Sequence, residues 1–288
     1  MALAALVCWL PCLSAARGPK DDSNTDVEFA KPAQRIVSLA PFITELIYAA
    51  GAGHRLVGAS AYSDYPASAK SLPVVGDAVA LHLEQLLSLK PDLVITWTSG
   101  SRAANTARVE ALGIRVLSVD ARTLDDIPRL LRMIGAIAGS IDQAEQAARN
   151  FEERLLGLQN QYAGRRPVSV FLEVWHRPLM TVNGSHFASH AVEACGGRNI
   201  FSAASGLTPE VGMEEIFSGD PEAIVGGGSA SSNAQFLRDW QATGLRAVRQ
   251  GHVFYVHPDL IQRPTPRILD GVEKICADLQ KVRNDARQ

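Results

Sequence analysis

Two segments decide the fold of this chain: EQLLSLKPDLVI at residues 84–95 and EEIFSGDPEAIV at residues 214–225. Each begins with a glutamate on a short helical stretch and continues through a proline and an acidic residue into an apolar run. Because proline does not continue a helix and the apolar run has the length of a strand, each segment predicts a short helix followed by a buried strand. The repeat therefore predicts two similar lobes, each with a glutamate, Glu84 or Glu214, at the start of a helix.

On either side of the repeat, short β-branched runs alternate with stretches of helical periodicity. This alternation predicts the α/β class, with two Rossmann-like lobes in which a mostly parallel sheet carries helices on both faces. We expect the first lobe at residues 35–121 and the second at residues 165–288. The expected strands are 36–39, 56–59, 93–97 and 116–119 in the first lobe, and 168–174, 223–226 and 253–256 in the second.

Residues 122–164 carry helical signals and no strand signals. Gly139 and Ser140 mark a break, after which apolar residues at three- and four-residue steps predict a helix from Asp142 to Tyr162. A helix of that length spans ~30 Å. We expect a single long α-helix here that joins the two lobes, and an ordinary surface helix is the alternative.

Length and composition limit the class of protein. A chain of 288 residues is long enough for two domains with separate cores. With 47% apolar residues, 20% charged residues and a formal net charge of −2, it has the composition of a packed globular protein. The sequence shows no basic patch interleaved with aromatic residues, which nucleic-acid binding requires.

The first 16 residues, MALAALVCWLPCLSAA, are apolar and end in small residues, as the core and cleavage site of an export signal do. A buried first helix is the alternative. The segment is too short to span a membrane. A lipid anchor at Cys8 or Cys12 is not favoured, because Val7 and Pro11 are poor residues to precede a lipidated cysteine. We expect a leader at residues 17–34, which is polar and flexible from Gly18 to Thr25.

Two cysteines, Cys195 and Cys276, remain beyond the predicted signal segment. In an exported protein an even number of cysteines favours a disulfide. Two separately buried thiols are the alternative. Two isolated cysteines that lie far apart in sequence do not form a zinc motif.

The chain has no recognisable catalytic motif. It contains no Gly-x-Ser-x-Gly elbow, no phosphate loop and no His-Glu-x-x-His helix. His186 and His190 have metal-ligand spacing, but no third ligand lies near them in sequence. We therefore expect no catalytic residues, no metal site and no cofactor, and an enzyme of the α/β class is a disfavoured alternative.

Aromatic residues gather where predicted strands end. Tyr62 and Tyr65 follow strand 56–59, Trp97 ends strand 93–97, and Trp175 follows strand 168–174. Ligands of open α/β sheets bind beyond the carboxyl ends of the strands. We therefore expect an apolar ligand cleft between the lobes with a few polar groups at its rim.

The two repeated glutamates have two explanations. A carboxylate in the first turn of a helix is stabilised by the helix dipole. Because Glu84 and Glu214 recur in matched positions on two lobes, they are also suited to bind arginines on a partner. The residues alone leave helix capping and docking open.

The ordered motifs resemble those of the periplasmic substrate-binding proteins of ABC importers for cobalamin, haem and iron-siderophores, and the cobalamin binders among them most. The resemblance runs from about Arg35 to Leu279, over nearly the whole chain after the leader. The residues that carry it are RIVSLAP (35–41), TEL (44–46), YSDYP (62–66), LE (83–84), LKPDLV (89–94), CGG (195–197), NIF (199–201), PRI (266–268) and Cys276.

The resemblance implies two α/β lobes joined by one long helix, with a corrinoid bound in the cleft and only a small hinge movement. It implies that Glu84 and Glu214, rather than Glu215, bind arginines of a dimeric importer permease in the inner membrane. It also implies a disulfide between Cys195 and Cys276. The protein would be a periplasmic monomer that carries cobalamin as transported ligand.

For the ligand contacts, the resemblance implies Tyr62, Trp97 and the segment Asp259, Leu260, Ile261, Gln262 and Arg263. Leu260 departs from the family pattern, which has an aromatic residue there, and we expect Trp175 to compensate. A haem or ferric-siderophore binder of the same fold is the alternative. Haem would require an axial ligand, for which His176 is the candidate. A siderophore would require cleft arginines, for which Arg177 and Arg263 are the candidates.

Overall fold

The computed structural model describes residues 21–23, 31–77, 79–228 and 232–286. The predicted signal segment and most of the predicted leader lie outside these residues. No helix within the described ranges combines the length and the apolar character that a membrane crossing needs.

The first lobe is a four-stranded parallel sheet with the strand order β2-β1-β3-β4. The central strands β1 and β3 are buried almost throughout, as expected for a parallel sheet covered on both faces. The elements are β1 (Ile36–Ser38), α1 (Pro41–Ala49), β2 (Leu56–Ala59), α2 (Leu83–Ser88), β3 (Leu93–Trp97), α3 (Ala103–Ala111) and β4 (Arg115–Val119).

The second lobe repeats this topology with the strand order β6-β5-β7-β8, again all parallel. The predicted α/β class with two similar lobes is therefore confirmed. The elements are β5 (Val168–Glu173), α6 (Phe187–Glu193), β6 (Gly197–Asn199), α7 (Met213–Gly219), β7 (Ala223–Gly226), α8 (Asn233–Gln241), α9 (Arg246–Arg249), β8 (Val253–Tyr255) and α10 (Ile268–Asp285).

The repeated segments occupy equivalent places in the two sheets. Each supplies the strand, β3 or β7, that pairs with the first strand of its lobe. The Asp92 carboxylate accepts hydrogen bonds from the backbone N–H groups of Gln34 at 2.8 Å and Arg35 at 3.0 Å. In the same way, the Glu222 carboxylate accepts one from the backbone N–H of Ser169 at 3.1 Å. The acidic residue after each proline thus links the start of its own strand, β3 or β7, to the start of the neighbouring strand, β1 or β5.

Two helices, α4 (Asp126–Ala138) and α5 (Ile141–Tyr162), lie between the sheets in sequence. α4 ends at Gly139, whose φ of +68° suits a glycine C-cap. Ala144 of α5 packs against Gly135 of α4, where an added Cβ would come within 2.2 Å of the alanine methyl. Further along α5, Arg154 forms ion pairs with Asp270 and Glu273 of α10 at 2.6 and 2.8 Å. α5 therefore contacts both lobes.

Cys195 and Cys276 form a disulfide, which confirms the predicted pairing. Both cysteines are fully buried. The bond connects the residues that follow α6 to the middle of α10. Arg283, also in α10, donates hydrogen bonds to the backbone carbonyls of Cys195 at 2.6 Å and Gly196 at 3.1 Å. The terminal helix is thereby held to the end of α6 by one covalent and two polar contacts.

Two expectations from the sequence are wrong in detail. The strand β6 has the sequence GRN, contains no β-branched residue and is not among the strands expected from the sequence. It becomes a strand because β5 offers it an edge with free backbone groups. Asp21–Ser23 were expected in a flexible leader, but Asp21 is buried and its carboxylate accepts a hydrogen bond from the Ser118 N–H at 3.0 Å. These three residues lie against β4.

Candidate ligand site between the lobes

A cavity of about 350 Å³ lies between the lobes at the carboxyl ends of the first-lobe strands. Its first-lobe wall is formed by residues that follow β1, β2 and β3, as the rule for open α/β sheets predicts. Its second-lobe wall is formed by three consecutive residues. The residues that matter for the argument below are Phe42, Tyr62, Trp97, Gly100, Gln262, Arg263 and Pro264.

A larger depression of about 560 Å³ lies elsewhere, among the end of α5, the end of α6 and the residues before α4. Its lining mixes charges of both signs, including Arg165, Arg198, Asp125 and Glu193, and contains none of the predicted ligand residues. We place the candidate site in the smaller cavity, because an apolar aromatic wall with few polar groups is what small-molecule sites usually have.

Trp97 forms a fixed aromatic wall of the cavity. Its indole packs edge-on against Phe42, with ring centroids 5.6 Å apart, and its Nε1–H donates to the Asp120 carboxylate at 2.9 Å. A Cβ on Gly100 would lie 1.9 Å from the indole ring, so only glycine lets the loop after β3 pass against it. The ring is therefore held in place before any ligand binds.

Two tyrosines lie at the first-lobe rim. Tyr62 is 79% exposed and lines the cavity, and its φ of +66° is an uncommon backbone conformation for a tyrosine. The guanidinium of Arg267 stacks over the ring of Tyr65, with its central carbon 3.8 Å from the ring centroid. Tyr62 therefore has a free aromatic face, whereas Tyr65 is engaged with the second lobe.

Trp175 follows β5 in the second lobe and is 46% exposed. Its Nε1–H donates to the Arg177 carbonyl at 2.9 Å, and its backbone forms a bridge with Met180. It does not line the cavity itself. Gln262, which does, donates a hydrogen bond through Nε2 to the carbonyl of Val174 at 2.9 Å. This bond connects the cavity wall to the chain that presents Trp175.

Arg263 belongs to an ion-pair cluster that bridges the lobes. Its guanidinium lies 3.0 Å from Glu45, 2.9 Å from Asp64 and 3.0 Å from Asp259. Although burial opposes the charged form, hydrogen bonds to Asp64 and Glu45 raise the pKa of Arg263 above its ordinary value. For Asp64, burial alone would raise the pKa of the carboxyl group. The hydrogen bond from Arg263 outweighs this effect, and the pKa of Asp64 lies below its usual value. The charge on Arg263 is thus already compensated within the protein.

Two residues of the predicted ligand segment pack in or against the core. Ile261 is 2% exposed and packs in the main hydrophobic core. Leu260 is partly buried against the same core, and its carbonyl lies against Gly271 of α10. Ile261 directly follows the short helical turn at Pro258–Leu260, and it is not among the residues that line the cavity.

His176 does not line the cavity. Its Nδ1 lies 3.4 Å from the carboxylate of Glu173, and its ring packs edge-on against Trp240. Glu173 is 1% exposed, and burial raises its pKa. Its other oxygen accepts a hydrogen bond from Trp240 Nε1 at 2.6 Å. His176 is thus directed at a buried carboxylate of the second lobe, which does not favour it as an axial haem ligand.

The repeated glutamates lie outside the cavity on the surface. Glu84 and Glu214 are both exposed, each at the second position of its helix, and neither has a hydrogen bond or ion pair within the described residues. The neighbouring Glu215 is occupied, because its carboxylate accepts the backbone N–H of Gly212 at 2.7 Å. The capping role in α7 belongs to Glu215, and the Glu214 carboxylate is free for another partner.

The fold and the site together define a two-lobed binding protein with its ligand cavity between the lobes. Residues 36–260 match the model of the family described as "Periplasmic binding protein". The chain belongs to this family, which confirms the resemblance seen in the sequence.

The chain is similar to a vitamin B12-binding protein and, in fold, to a heme-binding protein. It is 36% identical over 249 residues to the Vitamin B12-binding protein of Vibrio cholerae, which covers 86% of this chain and 90% of that protein. The crystal structure of the periplasmic Vitamin B12 binding protein of Vibrio cholerae matches with a TM-score of 0.79, covering 87% of this chain and 98% of that one. A periplasmic heme binding protein from Pseudomonas aeruginosa has a TM-score of 0.77, covering 85% of this chain and 92% of that one. At 24% identity this likeness shows the fold alone. These relatives are binding proteins, not enzymes.

Proposed function

We propose that the chain is an exported, non-catalytic protein that captures cobalamin or a related corrinoid and delivers it to an ABC importer. The observation that carries the proposal is the preformed aromatic cavity at the strand ends, with Trp97 locked against Phe42 and Asp120. The relative that is 36% identical to this chain over 249 residues is named for vitamin B12 binding, which supports the ligand class.

In this proposal the broad, largely apolar corrin packs on Trp97 and Tyr62 from the first lobe and on Trp175 from the second. Aromatic faces of this kind bury large area at low conformational cost. Gln262 and Arg263 supply polar contacts at the rim, and Asp259 holds Arg263 in orientation through the 3.0 Å ion pair. Leu260 packs against the hydrophobic core and thereby supports the segment that carries Gln262 and Arg263.

The proposed partner is a dimeric permease in the inner membrane, bound through Glu84 and Glu214. Both carboxylates are exposed and unpaired within the described residues, which leaves them available to arginines. The protein would act as a periplasmic monomer.

A calorimetric titration of the purified protein with cyanocobalamin, cobinamide and haemin tests the ligand class. We expect saturable binding of cyanocobalamin with one site per chain. Failure to bind any corrinoid at micromolar concentration would contradict the proposal. Tight haemin binding without corrinoid binding would instead favour the haem alternative. If the Soret shift seen on adding haemin were then lost in His176→Ala, His176 would be identified as the axial ligand.

A further inference from the structure

Each repeated glutamate has an exposed apolar side chain beside it. Leu87 is 44% exposed and Phe217 is 48% exposed, and each follows its glutamate, Glu84 or Glu214, by three positions. Side chains three positions apart are neighbours on a helix surface. The residues that directly precede Leu87 and Phe217, namely Leu86 and Ile216, are fully buried. The two short helices thus bury one apolar residue and expose the next in the same pattern.

The two helices also begin at equivalent edges of their sheets. The N–H of His82, the residue before α2, donates to Val75, and the N–H of Val75 donates to Ala59 at the end of β2. In the second lobe, the N–H of Val211 donates to Leu179, while its neighbour Met180 accepts the N–H of Val174 just after β5. Both helices therefore start at the carboxyl edge of their sheet, which is also the edge of the ligand cavity.

We propose that Leu87 and Phe217 are the apolar half of the importer-docking surface. Each would pack against an apolar patch beside the cation that the neighbouring glutamate binds. The occupant is a two-fold symmetric partner that presents the same cation-and-apolar pair twice. This inference rests on the proposed function, and it adds contacts that charge pairing alone does not supply.

The two halves of such a surface respond differently to salt. Exposed ion pairs are screened as ionic strength rises, whereas burial of apolar area persists. The glutamates should therefore dominate the salt-dependent part of docking, and Leu87 and Phe217 the part that remains. Since a phenyl ring buries more area than a leucine side chain, the second lobe should contribute the larger apolar share.

The experiment measures binding of the ligand-loaded protein to the importer of the same organism in lipid nanodiscs, at low and high salt. We expect Phe217→Ser to weaken binding about tenfold and Leu87→Ser somewhat less, by a similar factor at both salt concentrations. Leu112→Ser and Leu237→Ser are matched controls, because these residues are 44% and 40% exposed on other helix ends and faces. Both controls should bind as the wild type does.

A Glu84→Ala/Glu214→Ala double variant separates this inference from the proposed function. If it binds weakly while Phe217→Ser and Leu87→Ser bind as the controls do, the apolar contribution is refuted and docking through the glutamates stands. If the double variant also binds normally, the docking part of the proposed function fails as well. Cyanocobalamin affinity and melting temperature, measured for every variant, exclude loss of fold as the cause.

A second copy of the chain is the competing occupant. Light scattering across a micromolar concentration series decides this, with a monomer expected at all concentrations. A dimer that disappears in Phe217→Ser would assign the surface to self-association and overturn the proposal.

Discussion

Glu45 of the first lobe and Arg267 of the second lobe form a bidentate ion pair. Arg267 Nε donates to one oxygen of the Glu45 carboxylate at 2.9 Å, and Nη2 donates to the other at 2.6 Å. The Glu45 side chain is only 2% exposed and also accepts a hydrogen bond from Arg263 at 3.0 Å. Paired bonds of this geometry are the stronger kind of charge-assisted contact. A single carboxylate of α1 thus holds two arginines of the second lobe.

Replacing Glu45 by Gln should destabilise the protein by about 3 kcal/mol, because removing one member of a buried ion pair leaves the other uncompensated. Arg267 has no other ion pair within the described residues. Urea unfolding at pH 7 measures the free energy of unfolding. Glu84→Gln is the control, since Glu84 is exposed and unpaired in the described part of the chain, and it should unfold as the wild type does. Equal stability of the two variants would contradict the bridging role.

His186 should make stability depend on pH between about 4 and 6.5. Its Nδ1 accepts the backbone N–H of Ala188 at 3.1 Å at the start of α6, which requires that nitrogen to be unprotonated. Burial, assisted by the nearby charge of His190, lowers the pKa of His186 to about 4. The unfolded chain binds this proton near pH 6.5, so the free energy of unfolding falls as the pH drops through that window. The pKa difference corresponds to about 3 kcal/mol at most.

His186→Asn isolates this effect, because asparagine is a favourable helix N-cap and does not titrate. We expect urea unfolding at pH 7 and pH 4.5 to show a smaller loss of stability in His186→Asn than in the wild type. Parallel losses in both proteins would show that other groups cause the pH dependence.

Removing the disulfide should cost about 4 kcal/mol. Cys195 and Cys276 are 81 positions apart, and a cross-link across a loop of that length restricts the unfolded chain strongly. The double variant Cys195→Ala/Cys276→Ala is compared with the wild type in urea, each with and without a reducing agent. The reducing agent should destabilise only the wild type. An effect of reduction on the double variant would assign the loss to another group.

Tryptophan fluorescence should report ligand binding through Trp97 and Trp175. Trp97 lines the cavity and Trp175 is half exposed beside it, whereas Trp240 is 1% exposed and bonded to Glu173. We expect Trp97→Phe to remove a large part of the quenching by cyanocobalamin, and Trp240→Phe to leave the quenched fraction of the remaining emission at least as large. The opposite order would place the ligand away from the cavity.

Uptake should depend on Glu84 and Glu214 and not on Glu215. In cells that require the importer, Glu84→Ala/Glu214→Ala should abolish growth on limiting cobalamin while the purified variant keeps its ligand affinity. Glu215→Ala is the matched control, because that carboxylate caps α7 through Gly212 and should affect stability slightly but not uptake. Normal uptake by the double variant would contradict docking through these two carboxylates.

Local patterns predicted much of the architecture. The repeated segments place Pro91 and Pro221 two residues before the strands β3 and β7, and periodicity located the long helix α5 within one residue at its start. These features are set by neighbours in sequence, so they could be predicted from it. The strand β6 could not, because GRN has no strand preference and pairs only where β5 presents an edge.

The sequence by itself determined the two lobes, the cysteine pair, the aromatic residues at the strand ends and the family. Only the tertiary structure decided how these residues are used. The contact of Glu45 with Arg267 spans 222 positions, the side chain of Ile261 turns into the core, and Glu215 rather than Glu214 caps α7. The reason is physical: secondary structure follows from short-range propensity, whereas burial and charge pairing depend on which distant surfaces the packed lobes bring together.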